Sequence, residues 1–141
     1  MVLTDNRVDI FKELVSIVKA GLTDIKRVES YPLQSTEIED NKFPAVSLIE
    51  GGTRVIRELG SHLDIELDIF VRIFVKDDQD LSVGRNFSDQ FISLIEGNPQ
   101  LNDTCIKADA LGGDPPIQWP VKNEIHIYDK IMTVRYRRDI T

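Results

Sequence analysis

The sequence predicts an α+β fold: an antiparallel or mixed sheet with a long β-hairpin, packed against two α-helices. The strongest observation is an alternation. Leu63, Ile65, Leu67, Ile69, Val71, Ile73 and Val75 take every odd position of one stretch, with Asp64, Glu66, Asp68, Phe70, Arg72 and Phe74 between them. Strict period two places the two sets on opposite faces of a sheet. Two segments with apolar residues at helical spacing flank this region, and shorter strand-like runs close the chain. That order favours helices grouped against an antiparallel sheet.

The first helix is expected from about Asp5 to Ala20. Asp5 suits a cap of the first-turn amides, and Gly21 stands where a left-handed C-terminal residue is wanted. Val8, Phe11, Leu14, Val15 and Val18 define its apolar face. Ile10 and Ile17 lie off that stripe, and either widen the core face or form a second contact surface. A short strand over Ile25–Glu29 ends at Tyr31-Pro32, and the polar run Gln34–Lys42 reads as a loop. Phe43–Ile49 reads as a buried strand with Pro44 at its start, where a missing donor does least harm. Gly51-Gly52 marks a turn or a break.

Thr53–Glu58 and His62–Lys76 are separated by Leu59-Gly60-Ser61, a hairpin signal. The 13 residues Leu63–Val75 extend roughly 40 Å at about 3.3 Å each. That exceeds an ordinary strand, so the hairpin bends or projects past the core. The second helix is expected over Asp80–Glu96, with Phe87, Phe91, Leu94 and Ile95 inward and Gly97-Asn98-Pro99 as its stop. Cys105–Leu111 reads as a strand, followed by a turn-rich loop at Gly112–Pro116. Glu124–Arg138 is one strand, or a hairpin broken near Asp129-Lys130. Its end alternates, with Met132, Val134 and Tyr136 on one side and Thr133, Arg135 and Arg137 on the other.

A chain of 141 residues suits one domain with its own core, and 41% hydrophobic with 29% charged residues is a globular composition. The excess of 24 acidic over 17 basic side chains, a formal charge of −7, argues against general nucleic-acid binding. One cysteine excludes an internal disulfide and a multi-cysteine metal site, and fits a reducing cytoplasm. The start of the chain lacks a signal-peptide pattern, and no apolar run approaches the roughly 20 residues of a membrane span. A soluble intracellular protein is the expectation.

Standard catalytic signatures are missing. The sequence contains no GxGxxG, Walker A, HExxH, CxxC, EF-hand or GxSxG pattern. Gly51-Gly52 and Gly112-Gly113 lack the lysine and helix start of a phosphate cradle. His62 and His126 have no partner at ligand or catalytic spacing and read as ordinary sheet histidines; Cys105 reads as a small, semi-buried residue. No cofactor and no resident metal is expected.

Two charge constellations remain. Asp64, Glu66 and Asp68 share a sheet face at intervals of about 6.5–7 Å. They form a solvated face, or a negative wall turned to a channel or a basic partner. A third option is a metal site completed by another strand, the basis of a small metal-dependent hydrolase. Arg135, Arg137 and Arg138, with Lys130 upstream, suit pairing with acidic side chains on a neighbouring strand or subunit better than a nucleic-acid patch. Aromatic interleaving there is limited to Tyr136.

The layout resembles the phage tail terminator or tail-completion proteins, the group related to minor tail protein U of long-tailed phages. The matching stretches are Val8–Val18, Phe43-Pro44-Ala45-Val46-Ser47-Leu48, the hairpin Thr53–Val75, the helix Leu81–Ile95 with Gly97-Asn98-Pro99, and Met132-Thr133-Val134-Arg135-Tyr136. The resemblance implies a non-enzymatic homo-oligomer, a hexameric ring that caps the finished tail tube and stops its growth. Such a ring presents a surface to a head-completion or connector protein, passes DNA only as cargo, and belongs to the virion tail after assembly in the host cytoplasm. Under it, Asp64, Glu66 and Asp68 become candidate lumen- or partner-facing residues, and Arg135, Arg137 and Arg138 candidate inter-subunit contacts. A head–tail connector or tail tube subunit shares the layout. A module that binds a partner strand along the hairpin edge is a further option.

Overall fold

The computed structural model describes residues 7–78, 80–110, 117–118 and 125–139. The elements in chain order are α1 (Arg7–Gly21), β1 (Arg27–Glu29), β2 (Ala45–Leu59), β3 (His62–Lys76), α2 (Ser82–Gly97), β4 (Lys107–Ala110), β5 (Ile117–Gln118) and β6 (Ile125–Asp139). Five strands form a mixed sheet in the order β1-β2-β3-β6-β4, with the two-residue β5 added beside β6. Only β1–β2 is parallel; the other pairs are antiparallel. Both helices pack on one face, giving the α+β arrangement expected from the sequence. Asp5, Leu111, Gly112–Pro116 and Glu124 lie outside the described residues.

The odd-numbered residues of β3 face the helices. Ile65, Leu67, Ile69, Val71, Ile73 and Val75 are buried there with Met132, Val134 and Tyr136 of β6 and Phe87, Phe91 and Ile95 of α2. The alternation was therefore a true face assignment, and only Leu63, near the hairpin turn, is partly exposed.

The buried stripe of α1 is rotated from the expected one. Ile10, Leu14 and Val18 are fully buried, Phe11, Val15 and Ile17 flank them, and Val8 is largely exposed. Counting apolar residues finds a wide face. Which row sits at its centre depends on where the sheet and α2 press, and that is not local information.

Gly51-Gly52 does not end a strand. β2 runs through it as a bulge, its register with β3 shifting between Glu50 and Thr53. The chain passes so close to β3 that a Cβ on Gly51 would lie 2.7 Å from the Asp68 carbonyl and 2.8 Å from the Phe70 ring. The glycine thus serves close approach rather than a turn. The true turn is Gly60-Ser61, with Gly60 at φ +56°, between paired Leu59 and His62. Likewise β6 is one unbroken strand, paired with β3 from Ile125 to Asp139. Asp129, a candidate break, instead takes two hydrogen bonds from Arg72 at 2.7 and 2.9 Å.

The first turn of α2 is capped from upstream. Asp78 accepts from the Val83 and Gly84 amides at 3.0 and 2.8 Å, and from the Tyr128 hydroxyl at 2.6 Å. Asp80 accepts from the Ser82 amide at 3.1 Å. Beyond α2 the chain turns through three left-handed residues, Leu101, Asn102 and Asp103. Such backbone costs about 1–2 kcal/mol per residue. The burial of Leu101 and the Asn98 side chain's bond to the Asn102 amide, 3.0 Å, oppose that cost.

Among the described residues, the sheet face turned away from the helices is covered at one end only. There Leu33, Ile38 and Phe43 pack on Ala45, Phe74, Ile125 and Ile127 as a second, smaller core. The covering segment contains two short 3-10 turns, Ser35–Glu37 and Asp40–Lys42. It is anchored by Ser47, whose hydroxyl donates to the Tyr31 carbonyl at 2.5 Å and accepts from the Leu33 amide at 3.2 Å.

Candidate functional site

No described segment covers the rest of that face, and it holds the acidic set together with Arg135 and Arg137 of the basic one. Strand register brings them together: Asp64 stands opposite Arg137, Glu66 opposite Arg135 on β6 and opposite Arg54 on β2, and Asp68 opposite Thr133. Arg137 donates to Asp64 through Nε and Nη2 at 2.9 and 3.4 Å. Arg54 forms ion pairs with Glu66 and, at 3.5 Å, with Asp68, while Arg135 lies 3.9 Å from the other oxygen of Glu66. Arg138 is not in this group. It pairs with Leu63 in register, falls on the helix side, and its Nε has no hydrogen-bond partner among the described residues. Lys130 stands opposite Val71, likewise away from the open face.

The heights of the two sets differ, and this decides what a partner would meet. The side chains of Asp64, Glu66 and Asp68 are 7%, 19% and 31% exposed, against 57%, 51% and 46% for Arg54, Arg135 and Arg137. Short carboxylates sit low on the pleat; long guanidinium stems rise above them. The surface is therefore arginine above carboxylate, not a bare negative wall. The Arg137 hydrogen bonds hold the Asp64 carboxyl below its ordinary range, outweighing the opposing effect of burial.

Next to the charges the face becomes apolar. Phe70 stands opposite Ile49 on β2 and Ile131 on β6, and both Phe70 and Ile131 are exposed. The Phe70 ring lies against Gly51, filling the space that a side chain would take. The Arg72–Asp129 pair separates this row from the covered end.

Metal chemistry fits poorly on the acidic set. A cation at Asp64 or Glu66 would displace guanidinium groups already bonded there, and among the described residues no group of three His, Cys, Asp or Glu side chains is placed to hold a metal ion. His62 Nε2 and His126 Nδ1 have no hydrogen-bond partner among the described residues. Burial pushes the Cys105 thiol up to about 11, which disfavours the thiolate. No helix among the described residues is long and apolar enough to cross a membrane.

Asp78 was not singled out from the sequence. Burial pushes its carboxyl up, but the Tyr128, Gly84 and Val83 hydrogen bonds more than offset this and leave it lowered. An acidic run just before a helix is a start signal; its long-range partner Tyr128 has no local mark. No protein-family model matches this chain, and no curated protein is found to be similar in sequence.

Proposed function

We propose that this chain is a structural virion-assembly protein: a homo-oligomeric ring that caps a phage tail tube, ends its polymerisation and offers a surface for head attachment. The main support is the outer half of β2. From Gly52 to Glu58 every residue is exposed, because β1 pairs only with Ala45–Ser47 and no described strand continues along that edge. An edge of this length carrying exposed Val55 and Ile56 is better suited to a subunit with neighbours than to a molecule working alone.

The edge is poorly matched to its own copy. In the antiparallel register that overlaps the exposed halves of two β2 edges, Arg54 falls opposite the second copy's Arg57, so like charges meet. A different surface of the neighbour must cover it, the head-to-tail relation that closes rings. In the assembly, Arg135 and Arg137 face another subunit or the tube, where directed guanidinium hydrogen bonds set orientation. The carboxylates beneath them orient those arginines; DNA passes without being read.

Light scattering on the purified chain and electron microscopy with tube protein test the reading. A closed ring that halts tube elongation is expected. Growth of the chain into open-ended tubes would instead identify a tube subunit. A strict monomer with and without tube protein overturns the proposal.

A further inference from the structure

We propose that the open sheet face is a twofold docking surface for a second copy of this chain, a contact distinct from ring closure. Along β3 three zones follow one another at equal intervals. Phe74 lies under the covering segment, where exposed Glu37, Glu39 and Asp40 outnumber Lys42 and Lys76, the latter ion-paired with Asp40 at 3.3 Å. Four residues on is Phe70, in the apolar row with Ile49 and Ile131; four further is Glu66, beneath Arg54 and Arg135. Each interval is about 13 Å at about 3.3 Å per residue.

Acidic end, apolar middle and arginine end form a self-complementary pattern. A second copy turned by 180° about an axis running along the Ile49–Phe70–Ile131 row meets the first face to face with its strands reversed. Apolar row then packs on apolar row, and each arginine end meets the partner's acidic segment. The step in height favours the same pairing, since the covering segment rises above the face at one end and no described segment covers the other. Every contact occurs twice, as an isologous interface requires. Exposed Phe70 and Tyr31 with Arg54 and Arg135 are residue types enriched where such interfaces bury surface, and exposed Ile131 adds apolar area.

Charge exchange tests the pairing. Sedimentation equilibrium is expected to show a dimer that weakens as salt rises. Arg135→Glu alone, and Glu37→Lys with Glu39→Lys alone, should each raise the dimer Kd by about tenfold or more, and the three changes combined should recover most of the loss. In a Cys105→Ser background, a short bis-maleimide should link Phe70→Cys chains into dimers and should not link Val55→Cys chains, since sheets packed face to face stand about 10 Å apart, beyond the reach of a disulfide. Thermal melts of each variant separate loss of docking from loss of fold. A wild-type monomer at all concentrations, or a dimer indifferent to both charge changes, overturns this contact. Rings that form normally while ignoring those changes overturn it and leave the tube-capping reading standing.

Discussion

The two halves of β2 share a strand, a partner and a backbone conformation, yet they live in different surroundings. Ala45–Leu48 is buried on both faces, under helices on one side and the covering segment on the other. Gly52–Glu58 is exposed throughout, although it stays paired with β3 almost to the turn. Pairing along one edge thus makes a strand but does not bury it. Burial needs a second neighbour and a layer above, and the inner half has both. The bulge at Gly51-Gly52 is the point where the strand passes from one regime to the other.

Substitutions on either side of that point should differ sharply. Leu48→Ala deletes a fully buried side chain and should cost about 2–5 kcal/mol in urea unfolding. Gly51→Ala drives a methyl against the Asp68 carbonyl and the Phe70 ring, and should cost about 1–3 kcal/mol. Its neighbour is the control. Nothing lies within 4 Å of a Cβ on Gly52, so Gly52→Ala should stabilise by about 0.4–1 kcal/mol through the unfolded chain. Val55→Ala, in the exposed half, should fall within about 0.5 kcal/mol of the parent. Comparable losses at Leu48 and Val55 in the isolated chain would remove the distinction.

Acid offers a further way to separate the halves. The Asp64 carboxyl, held low by Arg137 beside the outer half, binds protons less readily folded than unfolded. Its stabilising contribution is therefore complete above the ordinary aspartate value near 3.8 and is lost as pH falls through the lowered one. Unfolding midpoints measured from pH 6 down to pH 2 should show this slope, and Asp64→Asn should flatten it. An unchanged slope would mean that the Asp64–Arg137 pair carries none of the acid sensitivity.

Much of the fold was legible because its signals are local. The β3 alternation, the Gly60-Ser61 turn and the Phe87–Phe91–Ile95 face each depend on spacing within one segment. What escaped depends on register or on neighbours. Nothing near Arg137 tells that Asp64, 73 residues away, receives its hydrogen bonds. The acidic and basic sets were visible as separate patterns, and only strand pairing shows that one lies beneath the other. Gly51 and Asp129 carried the right alphabet for a break, but a close approach and an ion pair use those same residues inside a strand.

Asp78 ties these scales together in time as well as space. Its carboxylate holds the first amides of α2 and the hydroxyl of Tyr128, 50 residues later in the chain. The end of α2 is therefore fully secured only once β6 has docked beside β3. Hydrogen exchange at the Val83 and Gly84 amides should slow in step with the β3–β6 ladder, so that two backbone protons report the arrival of the last strand.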